Sequence, residues 1–217
     1  GRPLTEYLRL SLTGTIDNNL ETLSQTNQTT DWKTRSVGFI LSYDNANHFL
    51  FPSKGQRVSL TGDFGGKIIG GNYTYQKYEL DVAKYIGLDK EGKHVLALHA
   101  QGGVIKTPDA RLPEHMKYFL GGPDTVRGYR WGAFQGNSLL LANVEYRYLI
   151  SDAIQLVGFA DLGEIADEGV KADNLKFGFG PGIRINTPIG PIRLDFGFSR
   201  ENGKWQSQFH FSLGQAF

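Results

Sequence analysis

An arginine set among small residues is the most chemically suggestive feature of this sequence of 217 residues. Arg127 stands between Val126 and Gly128, after a Gly-Gly-Pro turn and before Tyr129. The glycines permit positive φ angles and close approach of one backbone to another. Composition alone favours a solvated loop arginine here. If the guanidinium is held away from bulk water, however, it needs paired carboxylates as an anchor.

Other chemistries find little support in the residue pattern. The sequence has no Gly-x-Ser-x-Gly element to present a nucleophilic serine, and its five histidines lack the spacing of metal ligands. The segment Gly178–Gly182 has the glycines of a dinucleotide fingerprint, but it lies inside a strand pattern and opens no helix. These glycines are better explained by relief of crowding or by strand curvature. We therefore predict no catalytic, metal-binding or cofactor-binding residues.

Strand-like alternation characterises the elements that must position Arg127. Ten runs alternate apolar and polar residues with a period of two, and helical periodicity is nearly absent. Five runs precede a long break at about residues 106–137, which contains Arg127, and five follow it. The runs are Glu6–Thr15, Thr34–Asp44, Arg57–Phe64, Asn72–Ile86, His94–Lys106, Ser138–Leu149, Ala153–Leu162, Asn174–Asn186, Pro191–Arg200 and Lys204–Phe217.

The two faces of these runs differ in a way that fits a membrane barrel. In the last run Phe209, Phe211, Leu213 and Phe217 are predicted to share one face, and polar residues take the other. A soluble β-sandwich also alternates, and its charged faces would point to solvent. The aromatic content of 12% and the terminal Phe217 favour a lipid-facing side instead.

Composition is compatible with a single barrel domain. The net charge of +1 indicates neither a nucleic-acid-binding surface nor an acidic tail. The mean hydropathy of −0.32 would suggest a soluble protein, but strands that alternate lipid-facing and lumen-facing residues average to such values. The absence of cysteine removes disulfides and Cys-based metal sites.

The connections between the runs alternate in length. Long loops at one end and short turns at the other are typical of outer-membrane barrels. We therefore predict that the polar segment Ile16–Asp31, the long loop and Glu164–Asp173 face the cell exterior, with the first of these a solvated loop. The turn Pro188–Gly190 is predicted to be periplasmic.

Four motifs in order resemble those of the BamA-type outer-membrane assembly superfamily, also described as the bacterial surface antigen barrel. The segment Phe51–Gly62 is similar to its F-P-T-x-G-S-R-x-x-L-x-G hairpin, and Phe119–Tyr129 to its Gly-Gly…Val-Arg-Gly-Tyr/Phe loop. The segment Thr187–Ile192 is similar to its S-P-L-G-P-L turn. The ending resembles its C-terminal β-signal, with matching residues Phe209, Phe211, Leu213, Gly214 and Phe217.

The resemblance implies an all-β, antiparallel transmembrane β-barrel and a role for the arginine. Residues 1–217 would supply about ten strands, the C-terminal portion of a family barrel of sixteen, with the POTRA domains and the first strands absent. In the family this arginine folds into the barrel and pairs with inward carboxylates. The matching carboxylates are Glu145 and Asp161, and the loop-anchoring residues would be Val126, Arg127, Gly128, Tyr129, Glu145 and Asp161.

The implied function is non-enzymatic insertion and folding of proteins in the bacterial outer membrane. Expected partners are outer-membrane lipid, unfolded outer-membrane proteins and, through POTRA domains, accessory assembly lipoproteins; no nucleic acid is expected. The alternative within the superfamily is a two-partner secretion or patatin-linked translocator pore. A second alternative takes Glu145 and Asp161 as the acid–base pair of a glycosidase.

The number of strands raises the question of closure. An even count lets the first and last strands meet antiparallel, and unpaired backbone in hydrocarbon costs several kcal/mol per group. We therefore expect the runs Glu6–Thr15 and Lys204–Phe217 to pair and close the barrel. The small radius of such a barrel would crowd the long loop out of the lumen.

Overall fold

One continuous antiparallel sheet carries most of the chain in the computed structural model, which describes residues 1–23, 28–109, 112–188, 190–214 and 216–217, without the side chains of residues 19–23 and 28–32. The strands are β1 (Arg2–Pro3), β2 (Leu8–Leu23), β3 (Gln28–Asp44), β4 (Gly55–Gly65), β5 (Tyr75–Gly87), β6 (His94–Lys106), β7 (Tyr118–Leu120), β8 (Phe134–Gly136), β9 (Ser138–Ser151), β10 (Ile154–Ala166), β11 (Lys176–Thr187), β12 (Gly190–Glu201) and β13 (Lys204–Leu213). Eleven of them follow one another in chain order in the sheet, with β6 beside β9. The short strands β7 and β8 pair with each other inside the long loop.

The predicted all-β, antiparallel architecture is confirmed. Each of the ten runs forms one long strand of the sheet, and the eleventh strand is the two-residue β1. Two short 3-10 helices, Lys67–Ile69 and Glu114–Met116, lie in connections. Among the described residues no helix has the length and apolar character that a membrane crossing requires.

The interpretation of Ile16–Asp31 as a solvated loop is wrong. Strands β2 and β3 continue to pair through this segment, from Ile16↔Arg35 to Leu23↔Gln28. The pairing of β3 with β4 ends earlier, at Ser36↔Gly65, so the β2–β3 hairpin projects beyond its neighbour. The backbone ladder of a hairpin does not require apolar side chains, so a polar segment can extend it. Only the four residues 24–27 at its tip lie outside the described residues.

The predicted closure of the barrel is also wrong for this chain. Strand β13 pairs with β12, β2 pairs with β1 and β3, and no ladder joins β13 to β1 or β2 among the described residues. The sheet is therefore open, and the crowding expected from a closed ring does not arise. The long loop accordingly lies against the inner face of the sheet.

The two faces of the sheet have the chemistry expected of a lipid side and a lumen side. Outward residues are large and apolar, and many are exposed, including Leu12, Val144, Phe196, Phe209 and Phe211. The inner face is polar, and buried side chains are concentrated where the loop covers it. The main apolar core, which includes Tyr118, Leu120, Val126, Tyr129, Leu139 and Leu141, lies between the loop and strands β9 and β10.

The predicted common face of the last run does not extend to Phe217. Strand β13 ends at Leu213, and Gly214 has a φ of 91°, which turns the chain. The Phe217 ring lies inside, stacked on His99 with centroids 4.8 Å apart and 4.9 Å from the Arg147 guanidinium. Phe217 is thus an inward residue, unlike its predicted neighbours Phe209 and Phe211.

Candidate loop-anchoring site

The long loop between β6 and β9 is shaped by its own turns before it reaches the wall. Gly121 and Gly122 have φ angles of 106° and 112°, which glycine adopts without strain. The backbone N–H of Gly121 donates to Thr125 Oγ1 at 2.8 Å and closes the turn. Leu120 and Val126 are fully buried on either side. The turn therefore presents residues 124–128 to the inner face of the sheet.

Arg127 is buried and fully engaged by carboxylates. Its Nε and Nη2 donate to the two oxygens of Asp161 at 2.8 and 2.7 Å, and its Nη1 donates to Glu145 Oε1 at 2.6 Å. The backbone N–H of Arg127 also donates to Asp161, at 2.9 Å. The guanidinium lies 3.6 Å from the centroid of the Phe159 ring, which adds a cation–π contact. A bidentate bond to one carboxylate fixes the orientation of the side chain and also balances its charge.

The next residue fastens the loop through its backbone. Gly128 N–H donates to Nε2 of His210 on β13 at 3.1 Å, and its carbonyl accepts from Ser199 Oγ on β12 at 2.8 Å. His210 must therefore be unprotonated at Nε2. The Tyr129 hydroxyl donates to the backbone carbonyl of Arg200 at 3.0 Å. Three consecutive loop residues are thus bonded to strands on both sides of β11.

Glycines in the wall make room for this backbone. A Cβ on Gly178 would collide with the carbonyl oxygen of Arg127, and one on Gly197 would collide with the backbone nitrogen of Gly128. A Cβ on Gly163 would lie 2.9 Å from the Val126 side chain. These positions form a smooth floor on β10, β11 and β12. The explanation of the β11 glycines as relief of crowding agrees with the contact at Gly178.

The two anchoring carboxylates are shared with further arginines. Glu145 Oε1 also accepts from Arg184 at 3.1 Å, and Glu145 Oε2 accepts from Arg147 at 2.8 Å. Arg184 in turn donates to Asp195 at 2.6 Å, and Asp195 lies 3.6 Å from Arg127. All of these side chains are at most 2% exposed. The anchor is one node of a buried ionic network on β9–β12.

The loop brings an anion to the wall as well as a cation. Asp124 forms an ion pair with Arg193, which also donates to Ser212 on β13 at 2.8 Å. The network therefore contains four arginines, Arg127, Arg147, Arg184 and Arg193, and four carboxylates, Asp124, Glu145, Asp161 and Asp195. Without the loop the wall keeps three of each sign. The loop thus adds one positive and one negative charge to the wall, and each of them lies opposite a charge of the other sign.

A second chain of polar contacts leads from the anchor to the other half of the sheet. Asn143 donates to Thr125 O at 2.7 Å and to Asp161 at 2.8 Å, so its amide oxygen must face Nδ1 of His99, 2.8 Å away. The other ring nitrogen of His99 lies 2.8 Å from Asp81 on β5. Both ring nitrogens of His99 therefore have oxygen partners. This contact connects β5 to the loop through β6 and β9.

Acid–base catalysis by Glu145 and Asp161 does not fit this geometry. Both oxygens of Glu145 accept from guanidinium groups, and both oxygens of Asp161 accept from Arg127. Neither carboxylate has an oxygen directed at a substrate position, which a general acid needs. In the described part of the chain no cluster of three or more His, Asp or Glu side chains could hold a metal ion.

The β-signal residues are divided between the two faces. Phe209, Phe211 and Leu213 lie on the outer face with 55–60% of their surface exposed. Gly214 donates its N–H to Pro191 O at 2.8 Å, and Phe217 lies inside. The neighbouring Gln215 lies outside the described residues. The structure therefore does not place these five residues together as one surface.

Several residues of the anchor were not singled out from the sequence. Arg147, Arg184, Arg193, Asp195 and His210 join the network although they are distant in sequence from the loop. The available signal was their position on polar faces of alternating strands. That signal does not tell which polar residue faces the loop, because it contains no information on register.

Comparison with known proteins gives one family and a shared fold. The model of the Omp85 superfamily domain matches residues 1–217. The outer membrane protein assembly factor BamA of Nitratidesulfovibrio vulgaris is 28% identical over 187 residues, which is 76% of this chain and 23% of that protein. The outer envelope protein 80, chloroplastic, of Arabidopsis thaliana is 32% identical over 115 residues, 48% of this chain and 15% of that protein.

A solved structure agrees with the strand arrangement. The chain is similar to BamA from Haemophilus ducreyi lacking POTRA domains 1–3, with a TM-score of 0.75 and 18% sequence identity. The match covers 90% of this chain and 45% of that one. At this identity the likeness concerns the fold. The chain thus spans less than a quarter of the length of these two curated relatives and less than half of the structural one.

Proposed function

The chain belongs to the Omp85 superfamily, and from this premise we propose that residues 1–217 are the C-terminal part of a barrel that folds and inserts other barrel proteins. Its family is that of integral proteins of the bacterial outer membrane. We propose that outer-membrane proteins and lipid are its partners there. Proteins of this superfamily assemble or translocate other proteins without a catalysed reaction, and we propose the same for this chain. Accessory lipoproteins would bind through POTRA domains outside this sequence.

The observation that carries the proposal is the anchoring of the loop to the last two strands. Gly128 is bonded to His210 on β13 and to Ser199 on β12, while Arg127 is held on β9 and β10. The loop therefore fixes the inner face of β13 while the outer edge of β13 has no strand partner among the described residues. An edge strand that is held firmly from the inner face is suited to template another strand.

The proposed mechanism is addition of an incoming strand to the edge of β13. An edge strand offers a row of backbone N–H and C=O groups that pair with an extended segment. Each pair formed removes an unsatisfied group from hydrocarbon, where it costs several kcal/mol. The side chains Phe209 and Phe211 face lipid beside this edge, so a client strand would enter where apolar residues already meet the bilayer.

A charge swap in the intact protein tests the proposal. Arg127→Glu places a carboxylate against Glu145 and Asp161, and we expect loss of outer-membrane protein assembly in cells that depend on the variant. Combining it with Asp161→Arg restores one pair of opposite charges, and we expect partial recovery of assembly. Arg9→Glu, on the inner face of β2, is the matched control and should assemble clients normally. Normal assembly by Arg127→Glu alone would contradict the proposal.

Translocation through the lumen is the second candidate, as in a two-partner secretion or patatin-linked pore. It is favoured by the unfilled inner face of β2–β4, where Arg9, Ser42, Arg57 and Ser59 line a cavity of about 610 Å³. Such a surface suits a passing polar chain more than a fixed partner. Single-channel conductance of the intact protein separates the candidates. A translocator shows open channels that Ser42→Trp narrows, whereas an insertase depends on the β13 edge and tolerates that substitution.

A further inference from the structure

The outer face of the sheet contains a depression along β10. The outward residues of this strand are Leu156, Gly158, Ala160 and Leu162, so two small residues stand between two leucines. The neighbouring walls are taller. Tyr146 and Val144 of β9 lie opposite Gly158 and Ala160 on one side, and Pro181 and Phe179 of β11 lie opposite them on the other.

The depression is an open, shallow groove with an apolar lining. Its volume is about 480 Å³, and the walls are completed by Leu96 of β6 and Phe198 of β12. The β11–β12 ladder lapses between Phe179↔Phe198 and Gly182↔Asp195, at Pro181, which has no N–H to donate. The groove therefore lies beside a gap in this ladder and is continuous with the lipid-facing surface.

Nothing in the fold requires glycine at position 158. A Cβ there would meet no atom within 4 Å, and its backbone is not in the left-handed region. Gly180, by contrast, must lack a side chain because a Cβ would collide with the carbonyl of Phe196. Glycine inside a strand weakens the strand and often marks close approach of a ligand. At Gly158 the close approach can come only from the lipid side.

One end of the groove has a polar rim. The Tyr146 hydroxyl lies 2.6 Å from Nδ1 of His94, and the His94 ring stacks on Tyr148 with centroids 4.7 Å apart. His94 follows the turn at residues 88–93, at the end of the sheet that carries the short connections. Tyrosines at such a level form the interfacial belt of membrane proteins. A lipid whose chain lies in the groove would therefore have its head group beside His94 and Tyr148.

We propose that this groove binds one acyl chain of a phospholipid, with the head group at the His94–Tyr148 rim. A chain in the groove contacts Gly158 and Ala160 below it and Tyr146 and Phe179 at its sides, so it makes more close contacts than on a flat wall. Each carbon–carbon contact contributes little, but a chain makes many of them. The site lies on the side of the wall opposite the Arg127 anchor and does not depend on the proposed assembly function.

Native mass spectrometry of the intact protein in detergent, with added phosphatidylethanolamine, tests the site. Gly158→Phe fills the groove, and we expect at least a tenfold lower ratio of lipid-bound to free protein than in the wild type. Gly102→Phe is the matched control. Gly102 is also an outward strand glycine with open space around its Cβ, but it does not line the groove. This variant should retain the lipid as the wild type does.

Two results would overturn the site. Equal lipid retention by Gly158→Phe and the wild type shows that the groove holds no chain. Equal loss in Gly158→Phe and Gly102→Phe shows a general effect of bulk on the lipid-facing wall. Heat-modifiable gel mobility establishes that each variant is folded. If Gly158→Phe is unfolded, Ala160→Leu fills the same groove with a smaller side chain. The ratio of lipid-bound to free protein for this variant is then compared with those of the wild type and Gly102→Phe in the same way.

Discussion

The two halves of the inner wall are built from the same kinds of strands but are filled in opposite ways. Across β9–β13 the inward arginines and carboxylates are buried, paired with one another and covered by the loop. Across β2–β4 the inward residues line an open cavity, and the Arg57–Asp44 pair there is partly exposed, at 24% and 52%. Alternation of strand residues makes a polar inner face in both halves. Whether the side chains of that face are buried and paired or exposed to solvent depends on whether the loop covers them.

This difference indicates how an open sheet can be firm along one edge. The covered half has ionic contacts across the four strands β9–β12 and hydrogen bonds to β13, so moving one strand breaks several bonds. The uncovered half is held mainly by its backbone ladders, which permit changes in curvature.

The largest expected effect comes from removing the anchor. Arg127→Ala leaves Glu145 and Asp161 buried near each other with one cation fewer, and loss of one partner of a buried pair costs about 3–5 kcal/mol. Arg57→Ala removes an inward arginine of the wet half, where a partly exposed pair contributes about 0–1 kcal/mol. Urea unfolding in detergent measures both free energies. Equal losses in the two variants would remove the distinction between the halves.

Arg127→Lys sharpens the same comparison. An ammonium group cannot bind both oxygens of Asp161 and also reach Glu145 with the planar geometry of a guanidinium. We expect this variant to recover only part of the stability lost in Arg127→Ala. Arg9→Lys, at an exposed inward arginine of the β2–β4 half, should be indistinguishable from the wild type in the same urea experiment. Full recovery by Arg127→Lys would mean that charge alone holds the loop.

Close backbone packing gives the next largest effect. Gly197→Ala forces a methyl group into the Gly128 backbone, and overpacking of this kind costs about 1–3 kcal/mol. Gly14→Ala is the control, because a Cβ on Gly14 meets no atom within 4 Å and alanine is favoured over glycine in a strand by about 0.5–1 kcal/mol. We therefore expect the free energy of unfolding to fall in Gly197→Ala and to rise in Gly14→Ala. Limited proteolysis at Arg130 measures release of the loop in Gly197→Ala.

The strands were predictable from the sequence because a period of two is a local property. The exception, Ile16–Asp31, failed because its residues do not alternate between apolar and polar with a period of two. Inward placement of Glu145, Asp161, Arg193 and Asp195 also follows from alternation. Their joint contact with one loop depends on the register of separate strands and on how the loop folds back. Neither property can be read from spacing along the chain.

Phe217 shows the same limit at the end of the chain. Alternation continued from Phe211 places it outward, but one glycine, Gly214, with a φ of 91°, changes the direction of the backbone. Its inward position then depends on contacts with His99 and Arg147, which are more than 60 residues away in sequence. A local pattern cannot anticipate such a turn. The failure of closure is of the same kind, since pairing of the two edges is a property of the whole sheet.

A smaller effect is expected at His210, which joins the loop to the edge strand. His210→Leu leaves the buried N–H of Gly128 without an acceptor, which costs about 1–3 kcal/mol. His210→Gln supplies an amide oxygen and should restore part of this loss. Hydrogen exchange of the Gly128 amide measures the effect directly and should be faster in His210→Leu. Unchanged exchange in that variant would show that β13 is held by other contacts.

The smallest effect concerns an exposed ion pair above the wet half, which contrasts with the buried anchor. Lys67, after β4, donates to Asp109 at 2.7 Å, and the Thr74 backbone N–H donates to the same carboxylate at 2.7 Å. The Lys67 bond, followed by the Thr74 bond, lowers the pKa of Asp109 below its ordinary value. A carboxylate with a lowered pKa stabilises the folded state above the pKa of the unfolded chain, about 3.9. That contribution is lost as the pH falls through the lower folded value.

Lys67→Ala should therefore raise the Asp109 pKa towards its ordinary value without restoring it fully, because the Thr74 bond remains. Carbon-13 NMR titration of labelled aspartate in micelles measures the shift, and Lys90→Ala, at the opposite end of the sheet, should leave Asp109 unchanged. Added salt should reduce the difference between wild type and Lys67→Ala, since exposed charges are screened. A buried pair such as Arg127–Asp161 should respond far less to salt. An Asp109 pKa that changes with neither Lys67→Ala nor added salt would contradict the role of this exposed ion pair in lowering it.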